Sequence, residues 1–210
     1  PTGRISLRLA VVLSMTAGIL GILILWYYCG TACGILGASA FILYVAFYTP
    51  MKRVSSLAVF IGAFPGAIPP MLGYVAATQD FGLEAGLLFA MQFMWQFPHF
   101  WAIAWVAHKD YSAAGFKLLP SDKGPTKFTA LQTIMYSAMM IPIGVLPYYY
   151  HITGIESMWI VLVCNLFMLY VSVMLYLKMD VQSARRVMFA SFFYLPIVLI
   201  AYLLDKTVLV

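Results

Sequence analysis

Gln92, Gln96 and His99 recur at i, i+4 and i+7 inside an apolar stretch, so one helical face carries three polar groups. Polar side chains within a membrane helix are costly, and they are kept where they bond a neighbouring helix or a ligand. Trp95, Phe97, Phe100, Trp101 and Trp105 surround the three with flat aromatic surface. A charged loop follows directly, with Lys109, Asp110, Lys117 and Lys123. If the helix continues, Asp110 returns to nearly the face of His99, roughly 16 Å further along the axis, an estimate that Pro98 loosens. A second cationic element, Lys52-Arg53, follows Thr49-Pro50, where proline is expected to stop a helix. This pair reads either as two anchors at the membrane edge or as a grip for phosphate, with arginine offering a fork and lysine a point charge. Such residues suit chemistry at a membrane boundary, where an ionic reactant is held beside an apolar one.

The elements that must position these groups are membrane spans. The chain is 64% hydrophobic and 9% charged, more apolar surface than a soluble domain of this length covers. Seven stretches reach the length needed to span: about Leu7–Tyr28, Thr31–Phe47, Ser55–Ala77, Glu84–Ala107, Phe128–Tyr149, Ser157–Leu177 and Val187–Leu204. The fold expected is all-α, one polytopic helical bundle over residues 1–210, solvated by membrane lipid, with no internal repeat and no separate soluble domain.

Basic residues set the orientation. Arg4 and Arg8 precede the first span, and Lys52 and Arg53 follow the second. Lys109, Lys117, Lys123 and Lys127 follow the fourth, and Lys178, Arg185 and Arg186 follow the sixth. The alternate connections carry Asp80, Glu84, His151 and Glu156, and Lys206 alone among the basic residues falls near that side. This asymmetry marks the cytoplasmic face. The net charge of +5 is therefore a topology signal, and a nucleic-acid partner is not expected.

Other features leave more than one reading. Gly62, Pro65, Gly66, Pro69 and Pro70 are expected to kink or open the third span, as a packing bend or as a wall around a large ligand pocket. Cys29 and Cys33 lie one helical turn apart; a disulfide or metal role is open, but no His or acid stands nearby, and small apolar filling is the simpler role. Asn165 suits an interhelical hydrogen bond, and His108 the end of its helix. Pro1 is not an initiator Met and PTGRIS is not a signal-peptide start, so the chain reads as a fragment or a processed piece.

The segments FYTPMKR, GAFPGAIPPMLGY and FMWQFPHFWAIAWVAHKDYSAAGFKLLP, in that order, resemble signatures of the protohaem IX farnesyltransferases (haem O synthases), a group of UbiA-type intramembrane prenyltransferases. The likeness runs along nearly the whole chain and implies the last seven helices of a nine-helix fold. It implies transfer of farnesyl from farnesyl diphosphate to a vinyl group of haem B, with Mg²⁺ as cofactor, at the cytoplasmic face of a bacterial inner membrane. Haem A synthase or terminal-oxidase assembly would be neighbours, as users of haem O. Carried over by motif, Asp110 is the Mg²⁺–diphosphate ligand and Lys52 and Arg53 grip the diphosphate. Lys117 and Tyr111 are further diphosphate contacts. His99 contacts haem, with its iron as one candidate, while Trp95, Trp101 and Gln96 line the substrate.

The chain also departs from that pattern. The family's first acidic motif would precede Pro1, and Lys109 stands where a second acid is common before Asp110; Asp122 could contribute only if its loop folds back. These 210 residues alone are accordingly expected to lack a complete metal site and to be inactive. Two rivals stay open: a UbiA-type enzyme prenylating a quinone precursor, and a membrane transporter or assembly factor that binds haem without transforming it.

Overall fold

A computed structural model describes residues 5–121 and 123–207. Arg4 and Asp122, both named above, lie outside the described residues. Seven long helices run back and forth: α1 (Leu7–Cys29), α2 (Thr31–Ile42, continued to Met51), α3 (Leu57–Thr78), α4 (Leu83–Val106), α6 (Lys127–Tyr149), α7 (Ile155–Lys178) and α8 (Val181–Leu204). The short α5 (His108–Ala113) lies in the charged loop. Six of the seven are long and apolar enough to cross a membrane; α4 is equally long but is interrupted by the polar residues discussed above.

α4 is the central element. It packs against α3, α6 and α8, whereas α1 leans chiefly on α2 and has no buried residue. One core joins Met91, Trp95 and Trp105 to Met140, Met168, Val187 and Tyr194, binding α4, α6, α7 and α8 together. A second joins Val59 and Ala63 of α3 to Phe97 and Trp101 of α4. A third holds Cys33 with Ile68, Met71, Val75 and Ala85, so this cysteine is an apolar filler. Asn165 makes the interhelical bonds its type suggests. Its Nδ2 donates to the Met140 carbonyl at 3.1 Å, and its Oδ1 accepts from the Tyr194 hydroxyl at 2.7 Å.

Three local expectations are corrected. Pro50 does not stop α2: the helix widens into a π-helical turn over Leu43–Tyr48 and closes with Thr49–Met51. The wider turn accommodates the missing proline N–H, and the Thr49 hydroxyl donates to the Tyr44 carbonyl at 2.9 Å. The prolines of α3 do not open it, and it runs unbroken from Leu57 to Thr78. Pro70 leaves the Gly66 carbonyl without its helical donor, and Gln92 Nε2 of α4 supplies one at 3.4 Å. Finally, α8 begins at Val181, six residues before the expected start, because Asp180 caps it by accepting from the Ser183 N–H at 2.6 Å. Arg185 and Arg186 therefore sit on its first turns.

The Asn165–Tyr194 bond gives a test of what locks α7 to α8. A double-mutant cycle with Asn165→Leu and Tyr194→Phe, unfolded in mixed micelles, is expected to show coupling of roughly 0.6–1.7 kcal/mol. Strictly additive losses would refute the bond's contribution.

Candidate functional site at the basic end

The charged loop is built by local rules. α4 ends at Val106, and Ala107 (φ −95°, ψ 20°) breaks the helix before α5. The extrapolation that carried Asp110 along an unbroken α4 is thereby corrected: Asp110 belongs to α5, across the break at Ala107. His108 opens α5, with Nδ1 3.4 Å from the Ser112 hydroxyl. The run Tyr111-Ser-Ala-Ala-Gly115-Phe116 then closes α5 as a Schellman motif. Gly115 takes φ +73°, the left-handed region that glycine tolerates, and the Phe116 N–H donates to the Tyr111 carbonyl at 2.9 Å. The same closure brings the Phe116 ring onto Tyr111, with centroids 6.2 Å apart.

This folded loop meets the end of α2. The Lys117 N–H donates to the Lys52 carbonyl at 2.8 Å, and Lys52 Nζ lies 4.7 Å from the centre of the Phe116 ring. The Tyr48 ring, one turn earlier, is 5.9 Å from the same ammonium. Lys52, Tyr111 and Lys117 are thus drawn to one rim, with Phe116 and Tyr48 as aromatic supports that sequence reasoning missed. The i, i+4 spacing of Tyr48 and Lys52 was a readable signal for one of them. Arg53 and Asp110 are exposed at this same end of the bundle, and neither forms an ion pair among the described residues.

Tyr48 also lines an apolar cavity of about 590 Å³ between α1, α2, α3 and α4. Val59, Gly62 and Gly66 form one wall, on a single face of α3, while Gly18 and Gly21 of α1 lie opposite. Gly62 lets the Tyr48 ring pack close: a Cβ there would stand 2.6 Å from it. Tyr48 is thus shared: its ring lies beside the Lys52 ammonium and also lines the apolar chamber. A second hollow of about 500 Å³ lies beneath the loop itself, lined by His108, Tyr111, Phe116 and Lys117.

The α4 stripe is divided between two neighbours. Gln96 is buried; its Nε2 donates to the Ala63 carbonyl of α3 at 2.9 Å, and the residue borders the larger cavity. Gln92 also turns to α3, with its Oε1 left without a partner. His99, half-buried, turns to α8, where Nδ1 lies 2.8 Å from the Ser191 hydroxyl. That hydroxyl donates to the Met188 carbonyl, so it accepts from His99, and the imidazole proton sits on Nδ1. Nε2 is left with its lone pair, the state that a metal ligand requires. Trp95 stacks on His99 at 4.4 Å and donates its indole N–H to the Ser191 carbonyl. Trp101 does not join them: it lies about 120° around the helix and packs on Phe97 and Tyr136.

The donor set fits Mg²⁺ in one mode. Among the described residues no three of His, Cys, Asp and Glu gather into a metal-binding group. Mg²⁺ is, however, commonly held by one or two carboxylates together with substrate phosphates and waters, and the exposed Asp110 suits that arrangement.

Comparison with known proteins agrees with this architecture. The chain is 46% identical over 206 residues to a protohaem IX farnesyltransferase of Cytophaga hutchinsonii, covering 98% of this chain and 72% of that one. It is 42% identical to the enzyme of the same name from Flavobacterium psychrophilum, covering 98% and 69%. A solved structure described as concerning digeranylgeranylglyceryl phosphate synthase superposes with a TM-score of 0.78 at 19% identity, over 98% of this chain and 72% of that one, a likeness of fold. Residues 1–195 match the UbiA prenyltransferase family, and the chain belongs to that family.

Proposed function

We propose that this protein transfers a farnesyl group from farnesyl diphosphate to a vinyl group of haem B, giving haem O. The observation that carries the reading is the Lys52 ammonium beside the ring of Tyr48, which itself lines the apolar chamber, in a chain so similar to enzymes named for this reaction. The active end faces the cytoplasm of an inner membrane, consistent with the clustering of basic residues there.

In this reading Lys52 and Arg53 bind the diphosphate, assisted by Lys117 and the Tyr111 hydroxyl, and the farnesyl chain enters the chamber past Tyr48. The allylic C–O bond breaks and its electron pair leaves with the diphosphate, where the cations stabilise the added charge. Mg²⁺, held through Asp110 and the phosphate oxygens, would supply further charge neutralisation. The farnesyl carbon bonds to the terminal vinyl carbon, leaving a cation on the carbon beside the porphyrin. Water adds there and loses a proton, giving the hydroxyethylfarnesyl group. Aromatic walls shelter the allylic cation until the vinyl group reaches it. His99, with Nε2 unprotonated, contacts haem at or near the iron, and Trp95 supports the imidazole. Trp101 acts behind the substrate wall, and Gln96 borders the bound chain.

Three experiments test this on the full-length gene product. Incubation with farnesyl diphosphate and either haem B or an aromatic acid, read by product mass, is expected to yield only the haem adduct; prenylation of the aromatic acid alone would overturn the assignment. Lys52→Met is expected to lower kcat/KM by roughly 100-fold or more, with Lys52→Arg retaining a larger share. Equal activity of Lys52→Met and the parent would remove Lys52 from the diphosphate site. His99→Ala is expected to weaken haem binding and alter the haem absorption spectrum, with imidazole partly restoring it. An unchanged spectrum and affinity would exclude iron contact.

A further inference from the structure

Arg185 and Arg186 are adjacent in the sequence, yet α8 presents them on different faces. Seven residues separate Arg185 from Phe192, so the two stand within about 20° of one line along the helix, roughly 10 Å apart along its axis. Arg186 is about 100° further round. Val187 and Ser191 are buried on the packed side of α8, whereas Arg185, Phe189 and Phe192 are exposed. The exposed line leads to the polar stripe of α4. Phe192 meets the His99 imidazole edge to face with centroids 5.2 Å apart, and Phe189 meets Phe192 at 6.1 Å. His99 also meets Phe100 at 5.4 Å, and Phe100 lines the larger cavity.

The two arginines differ in their charge surroundings as well. The Asp180 carboxyl is held below its usual range first by the N–H and hydroxyl of Ser183, then by the nearby charges of Lys178 and Arg186. Arg185 has no such carboxylate beside it and forms no ion pair among the described residues. Its guanidinium fork is free to take an anion.

We propose that Arg185 binds the propionate carboxylates of haem. The assignment rests on the haem reading above and adds to it the orientation of that substrate. One stretch of surface offers three chemistries in order: an imidazole lone pair on His99 for iron, the rings of Phe192 and Phe189 for the porphyrin face, and a fork for carboxylate. The distance from the centre of a porphyrin to its carboxylates is of the same order as the roughly 10 Å between Phe192 and Arg185. Arg185 stands at the basic end of the bundle, where water completes the solvation of the carboxylates; unpaired in the apolar layer they would be costly. Haem carries its vinyl groups on the half of the ring opposite the propionates. Anchoring the propionates on α8 therefore turns the vinyl half away from α8, towards the flank that Phe100 shares with the larger cavity.

The test compares haem B with its dimethyl ester, which keeps the iron and the ring but loses both negative charges. The full-length gene product is reconstituted in phosphatidylcholine nanodiscs, which offer no anionic headgroup, and binding is read from Soret absorbance against empty discs. The parent is expected to bind haem B more tightly than the diester. Arg185→Gln is expected to lower affinity for haem B roughly tenfold or more while leaving affinity for the diester unchanged, with Arg185→Lys between the two. Arg186→Gln is expected to leave both affinities unchanged. Retained diester binding also shows that the variant is folded. If Arg185→Gln weakens both ligands equally or neither, or if Arg186→Gln gives the same selective loss, the assignment to Arg185 is overturned while the haem reading stands. A parent with no saturable haem binding overturns both.

Discussion

Inside a bilayer a polar group finds a protein partner or remains a large cost, and this constraint decides what α4 can do. Pro70 removes a donor from α3, and Gln92 returns one to the orphaned Gly66 carbonyl from the next helix. Gln96 bonds the Ala63 carbonyl one turn away. Both side chains hold α3 against α4 through their amide N–H donors, and Gln96 borders the larger cavity as well. His99 is committed through only one nitrogen, because Ser191 takes Nδ1 and the arrangement of its own hydroxyl fixes the tautomer. The same rule that bonds the glutamines to α3 leaves the histidine's Nε2 without a partner from Ser191.

The basic end follows a complementary logic. There water can satisfy polar groups, so a loop is free to form, and its shape comes from backbone rules. Gly115 permits the left-handed turn, the turn folds Phe116 onto Tyr111, and Phe116 gives Lys52 a ring to rest against. The Lys117–Lys52 backbone bond then joins two loops that are far apart in sequence. The ammonium of Lys52 is thereby held between the rings of Phe116 and Tyr48.

Much of the bundle was legible because hydrophobic stretches of spanning length leave few alternatives. Seven membrane spans were expected; the described residues form seven long helices, six of them long and apolar enough to cross, with α3, α6 and α7 within two residues of their expected starts. The misplaced start of α8 has a clear cause: Arg185 and Arg186 look like loop residues in a count of charges, yet both are exposed on the first two turns of the helix. The Pro50 expectation failed because a π-helical turn is not written in any short motif. At the site, periodicity correctly grouped Gln92, Gln96 and His99 on one face. It could not say that α3 takes the glutamines and α8 the histidine, since that depends on which helices flank the face. Pairing across loops, as between Lys52 and Lys117, leaves no periodic trace at all.

The glycines of α3 show how the two kinds of information combine. Read along the chain, Gly62, Gly66 and Gly73 look like weak points in a proline-rich helix. In three dimensions the helix is held by its neighbours, and the glycines supply room instead: Gly62 admits the Tyr48 ring, Gly66 admits the Gln96 amide, and Gly73 borders open space. Helix stability at Gly62 and Gly66 has been traded against the close packing of a neighbouring side chain, and at Gly73 against open space. A helix selected only for strength would fill that face with leucine or alanine. Those close approaches, together with the polar bonds that Gln92 and Gln96 make to α3, hold a helix with three prolines against its neighbours.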